Sequence, residues 1–209
     1  MAGVDEARLA IEGGASAVGL VSAMPSGPGV IGEETIRQIA DFVAPPIATF
    51  LLTCLLDPNE IIAQQRRCRA NTLQLCDEIE IGGYAKLREA LPGIGIVQVI
   101  HVRDERSIAE AVGVAPHVDA ILLDSGNPSL KVKELGGTGR VHDWRLSVAI
   151  REQVPVPIFL AGGLTPQNVA SAIEQVRPFG VDVCSGVRTD GKLDPAKLQQ
   201  FIAAVRSTH

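Results

Sequence analysis

Aromatic side chains make up only 3% of this 209-residue chain, so any core it builds must be aliphatic. There is no long basic run, and 19 Lys and Arg stand against 24 Asp and Glu for a net charge of −5. Nucleic acid and anionic membrane surfaces both need clustered cations to neutralise phosphates, so neither is expected as a partner. No apolar stretch reaches the roughly 18–20 residues of a membrane span. The first residues also lack the basic-then-apolar order of a signal peptide. The four cysteines (Cys54, Cys68, Cys76, Cys184) form no CxxC pair, and His101, His117, His142 and His209 are as widely scattered. Scattered cysteines in a chain of this length read as reduced and cytoplasmic, and no metal or other cofactor is expected.

What is present is ordinary for a globular protein: 46% hydrophobic and 21% charged residues. The length suits one domain over 1–209, whose core can bury enough apolar surface to hold without disulfide or metal. Glycine (21) and proline (13) punctuate it often.

Short runs rich in Val, Ile, Leu and Ala lie at 17–21, 47–52, 72–75, 96–100, 120–123, 156–160 and 180–184. They are near-continuous rather than alternating, the pattern of parallel strands covered on both faces. Between them run helical patterns at 33–43, 58–70, 84–91, 105–112, 144–153, 166–176 and 195–205. Asp57-Pro58, Thr165-Pro166 and Asp194-Pro195 each pair an N-cap residue with proline at the first helical position.

Most strand starts recur at about 24–30 residues, the length of one βα unit with short loops. The interval after Leu123 is longer and marks an insertion. Such a repeat builds either a closed barrel or an open doubly wound sheet. No G-x-G-x-x-G follows the first strand, so the expected class is α/β, a (βα)8 TIM barrel. Only seven strands are visible. A helix over 4–12, ended by Gly13-Gly14, precedes the first of them. A barrel cannot close over an unpaired gap without exposing two sheet edges. Either the first strand is missing from this chain or the gap is filled another way; exposed edges would also favour a homo-oligomer.

Barrel chemistry gathers at the C-terminal ends of the strands. Leu122-Leu123-Asp124-Ser125 ends the fifth run and leads to Gly136-Gly137-Thr138-Gly139. Ala161-Gly162-Gly163-Leu164 ends the sixth, and Asp182-Val183-Cys184-Ser185-Gly186 the seventh. Glycine lets backbone N–H groups come close to an anion, and the loops after the last two strands are the usual barrel phosphate site. Gly162, Gly163, Ser185 and Gly186 are therefore expected to hold a phosphate, unless they only make tight turns. Asp124 and Asp182 converge on the same rim, where a partly desolvated carboxyl can serve as a general acid.

The segments LLDS, GGTG, HDW, FLAGGLTPQNV and VDVCSGVRTDGKLD strongly resemble the phosphoribosylanthranilate isomerase family of tryptophan biosynthesis. The likeness is specific over 119–194 and becomes one of general layout in the first hundred residues. It implies a (βα)8 barrel without metal or cofactor that catalyses an Amadori rearrangement. An aspartate protonates the ribose ring oxygen, and a cysteine base removes the C2 proton. By that resemblance Asp124 is the acid, and Asp182 contacts the sugar. Gly163 and Gly186 donate to the phosphate, and the 136–139 loop, with Gly137 and Thr138, closes over the small phosphorylated substrate.

There are departures too. The family's base ends the first strand in a Lys-x-Cys-Gly motif, the piece this chain is expected to lack. The family's Ser-Pro-Arg is matched only loosely by Ser26-Gly27-Pro28-Gly29, without the Arg, and its Gln-Leu-His reads Gln74-Leu75-Cys76. Cys76 as a substitute base would need a nearby cation or helix N-terminus; a small buried thiol is the plainer reading. Two alternatives therefore stand beside the isomerase: a related barrel enzyme acting on another phosphorylated sugar or amine, and a non-catalytic phospho-ligand binder.

Overall fold

The computed structural model describes residues 1–25, 27–126 and 141–208. Seven strands, β1 (Ala17–Val21), β2 (Ala48–Thr53), β3 (Thr72–Leu75), β4 (Gly95–His101), β5 (Ala120–Asp124), β6 (Ile158–Leu160) and β7 (Gly180–Val181), form one sheet in chain order. Every neighbouring pair is parallel. The helices are α1 (Val4–Glu12), α2 (Glu33–Phe42), α3 (Pro58–Cys68), α4 (Ile81–Ala90), α5 (Arg106–Val114), α6 (Trp144–Gln153), α7 (Val169–Val176) and α8 (Pro195–Arg206).

Side chains alternate faces along a strand, and both faces here are apolar. Leu20, Leu51, Leu73, Ile121, Leu123 and Leu160 join the core shared with the helices, where Ile36, Ile61, Leu87, Ile150 and Phe201 meet them. Val97, Val99, Ala120, Leu122 and Ala161 form a second, inner cluster. The inner face is curled on itself: Phe50 of β2 and Phe159 of β6, four strands apart, meet edge to face with ring centroids 5.9 Å apart. Phe179 packs on Phe159 in the same way at 5.5 Å. Glycine makes the room, since a Cβ on Gly180 would stand 2.8 Å from the Phe159 ring. Phe50 and Phe159 thus fill the interior of a TIM-like barrel, while Phe179, itself exposed, covers the outer edge of Phe159.

Asp57 accepts from the Asn59 N–H at 2.7 Å, and Asp194 from those of Ala196 and Lys197 at 3.0 and 3.2 Å, as N-caps should. Thr165-Pro166 opens a turn instead, and α7 begins only at Val169. There the side chain of Asn168 accepts from the Thr165 N–H at 2.8 Å and donates to the Gly163 carbonyl at 3.0 Å. β6 begins at Ile158 rather than 156, because Pro155 and Pro157 have no N–H to give a ladder. β7 pairs over two residues only, and the chain then enters a 3-10 turn at Ser185–Val187. A hairpin follows, β8 (Arg188–Thr189) and β9 (Lys192–Leu193), joined by Asp190-Gly191 with φ 50° and 76°. Two positive φ values are what a two-residue type I′ turn requires.

Among the described residues β1 and β7 do not pair with each other. The side of β1 away from β2 is partly taken up by the chain itself. The Met1 amino group donates to the Gly19 carbonyl at 2.8 Å, and the Ile31 N–H to the Val21 carbonyl at 2.9 Å.

Glu6 of α1 and Arg188 of β8 fasten this corner by a 2.6 Å ion pair, with both side chains largely buried. Burial alone would raise the Glu6 carboxyl. The hydrogen bonds from Arg188, Ala2 N–H and Leu193 N–H outweigh it, and the group is held below its ordinary value. A depressed carboxyl stabilises the fold above its unfolded pKa, and that contribution is lost as pH falls through the folded one. Glu6→Gln is expected to cost about 1–3 kcal/mol at pH 7, or roughly 3–10 °C in Tm. The gap should narrow as pH falls below the ordinary carboxylate range, as thermal melts at pH 7 and at acid pH will read.

Candidate active site

In-register parallel pairing decides which side chains share the inner face at the mouth. Register sets His101 of β4 beside Asp124 of β5. One step further, Ala161 N–H bonds to Leu123 O and Asp182 N–H to Leu160 O, so Asp182 follows across the β6 strand end. Cys76 ends β3 by donating its N–H to the Thr53 carbonyl, beside Cys54 at the end of β2. Two carboxyls, an imidazole and two thiols therefore converge from β2, β3, β4, β5 and β7.

Asp124 is 6% exposed. Burial raises its carboxyl, opposed by hydrogen bonds from Ser125, whose N–H lies 2.7 Å from Oδ1, and by the His101 imidazole. Asp182 is reached by water from the open mouth, yet protein walls and then the Asp124 charge push its carboxyl up to about 6. The larger cause is desolvation; the second is like-charge repulsion, which favours a proton on one member of a carboxyl pair. A carboxyl that keeps its proton toward neutral pH is what a general acid needs.

Cys76 is 1% exposed, and burial followed by the negative charges of Asp124, Cys54 and Asp182 drives its thiol far above the ordinary value. Nothing stabilises a thiolate there, so Cys76 is the small buried thiol of the plainer reading. The Nε2 of His101 lies 3.0 Å from the Cys76 carbonyl oxygen. In the sequence His101 is one of four scattered histidines; only the β4–β5 register puts it beside Asp124.

The glycine loops lie against one another. Gly162 and Gly163 have φ 85° and 64°, and a Cβ on Gly162 would meet Ser125 N and Oγ at 3.0 Å. A Cβ on Gly186 would fall 1.9 Å from the Leu164 carbonyl oxygen. The loops after β5, β6 and β7 are thus in backbone contact, which glycine alone allows. The N–H groups of Gly163 and Gly186 have no protein acceptor among the described residues. Asn168, unnoticed in the sequence, holds the Gly163 turn in shape. Gly137 and Thr138 lie outside the described residues, as does Ser26; Gly27–Gly29, which are described, bring no cation. Arg66, Arg67 and Arg69 belong to the outer helical layer, where Arg67 pairs with Glu33 at 2.5 Å and Arg69 with Asp41 at 3.1 Å. A cleft between α5 and α6, lined by Ile108, Val112, Leu146 and Ala149, is also on the outer layer, apart from these groups.

Comparison with known proteins gives the same direction over the whole chain. The family model for N-(5'-phosphoribosyl)anthranilate isomerase matches residues 57–204. The isomerase of that name from Methanocella arvoryzae is 33% identical over 205 residues, covering 98% of this chain and 94% of its own. The crystal structure of phosphoribosyl anthranilate isomerase from Thermotoga maritima superposes with a TM-score of 0.84 at 31% identity, over 99% of this chain and 96% of that one. Another, in complex with reduced 1-(o-carboxyphenylamino)-1-deoxyribulose 5-phosphate, gives 0.81 at 29% identity, over 99% and 95%. The chain belongs to the N-(5'-phosphoribosyl)anthranilate isomerase family.

Proposed function

We propose that this protein, as one catalytic domain over 1–209, carries out the Amadori rearrangement of N-(5'-phosphoribosyl)anthranilate in tryptophan biosynthesis. The observation that carries this is the Asp124 carboxyl, buried at the barrel mouth and raised by that burial, beside a cradle of unused glycine N–H groups. Gly163 and Gly186, with Gly162 and Ser185 shaping their turns, bind the substrate phosphate and fix the ribose above the acid. Asp124 gives its proton to the ring oxygen, the C1–O bond opens to an iminium, and loss of the C2 proton yields the enolamine that becomes the amino-ketose. Asp182 holds the sugar hydroxyls, and Gly137 and Thr138 cover the substrate. The partner is a small phosphorylated molecule rather than nucleic acid, and the scattered cysteines fit the cytoplasm. No helix among the described residues is long and apolar enough to cross a membrane.

The test is turnover of N-(5'-phosphoribosyl)anthranilate by this chain and by a version extended upstream with a strand ending in Lys-x-Cys-Gly, where the resembled family keeps its base. Conversion by at least one is expected. Failure of both overturns the assignment and leaves the phospho-ligand binder, which inorganic phosphate titration would then reveal.

A further inference from the structure

Buried polar atoms in native proteins find partners, and each exception asks for a reason. The Nδ1 of His101 is such an exception: it is buried with no hydrogen-bond partner among the described residues, on a side chain 6% exposed. Its other nitrogen is committed. A carbonyl oxygen only accepts, so Nε2, 3.0 Å from the Cys76 carbonyl, carries the hydrogen. In a neutral ring that leaves the lone pair on Nδ1. The backbone is pinned as well, since Ser107 Oγ donates to the His101 carbonyl at 3.2 Å and accepts from the Arg103 N–H at 3.2 Å.

β4–β5 register makes His101 and Asp124 cross-strand neighbours on the same inner face. The other titratable groups turned toward this pocket are Asp182 after β7 and the thiols of Cys76 and Cys54; the Met1 amino group lies nearer Asp182, and Asp77, Glu78, Tyr84 and the Arg103–Glu110 ion pair line a separate cleft that His101 also borders. Carboxyls and thiols are neutral or negative, so His101 is the side chain able to set a positive charge beside the Asp124 carboxyl.

Resting on the isomerase assignment, we infer that His101 is a positioning residue for the acid, holding in place the charge that Asp124 acquires when it gives up its proton. The proton leaves Asp124 for the ring oxygen, and a buried carboxylate remains beside Asp182. Nδ1 takes up a proton as Asp124 loses its own, and the resulting imidazolium faces that carboxylate until Asp124 is reprotonated from the product side. No bond to His101 forms, and one proton is returned for each one given.

The variant that separates this from a merely structural role is His101→Gln. Its amide N–H still serves the Cys76 carbonyl, but it takes no proton. Two quantities are followed: the titration midpoint of the Asp124 carboxyl carbon by NMR, and the pH profile of kcat and KM for N-(5'-phosphoribosyl)anthranilate. A lost cation makes the charged carboxylate less favourable, so the Asp124 midpoint should rise by at least about half a pH unit. The alkaline limb of kcat should move up with it, kcat at its optimum should fall about tenfold, and KM should change by less than about twofold. An unmoved Asp124 midpoint, with only a lower Tm, assigns His101 to structure and overturns the inference, while wild-type turnover would leave the isomerase assignment intact. A midpoint that moves where neither this chain nor the upstream-extended version turns over keeps the coupling and removes the isomerase.

Discussion

Asp124→Asn lowers kcat for N-(5'-phosphoribosyl)anthranilate by about 10²- to 10⁴-fold, the range general acid catalysis supplies. Asparagine has the shape of aspartate and keeps an acceptor for the Ser125 N–H, but it has no proton to give to a leaving ring oxygen. KM should stay within a few-fold, because the phosphate loops are untouched. Stability should move the other way. A carboxyl raised by burial destabilises the fold above its unfolded pKa, an effect that grows as pH rises through the folded one. The Asn variant should therefore melt at or above the wild-type temperature at pH 7, with the difference vanishing near pH 3. A variant both active and unchanged in Tm would remove Asp124 from the chemistry.

Gly186→Ala acts on the other half of the site. Its Cβ would meet the Leu164 carbonyl oxygen at 1.9 Å, Leu164 C at 3.0 Å and Thr165 Cα at 3.2 Å, all backbone rather than the yielding end of a side chain. The loops after β6 and β7 must separate, which costs about 1–3 kcal/mol as overpacking does. The separation also pulls the Gly163 and Gly186 N–H groups off a common anion. A rise in KM of tenfold or more is expected, with a smaller effect on kcat, and inorganic phosphate should compete less well. Gly113→Ala in α5 is the control, since an added Cβ there meets nothing within 4 Å. It should leave KM alone and raise the melting temperature slightly, as alanine does in a helix. Equal KM values for the two variants would refute the phosphate cradle.

The fold was legible because parallel strands buried on both faces must be written in unbroken apolar runs, and the seven runs mark the seven strands. Helix starts were legible where the cap is one residue speaking to the next turn, as at Asp57 and Asp194. At Thr165-Pro166 the same signal misled, because the chain makes a turn there, closed by the Asn168 side chain on the Thr165 N–H, and α7 begins only at Val169. The short hairpin was written plainly in Asp190-Gly191 but lay hidden within a longer glycine-bearing stretch. Asp124, proposed as the acid, and the glycines proposed for the phosphate were readable as strand-end residues. His101 was not, since its role depends on which residue of β5 it faces, and register is a property of the sheet rather than of any one strand.

The pair of phenylalanines that meet across the barrel interior has a consequence for traffic. Phe50 and Phe159, in edge-to-face contact across the inner face, put apolar rings beneath the strand-end groups. Substrate and product must then use the same doorway, and each turnover ends with a phosphorylated product still seated in the glycine cradle that the next substrate needs. Product is thus expected to inhibit competitively against substrate, as initial rates with added product will read.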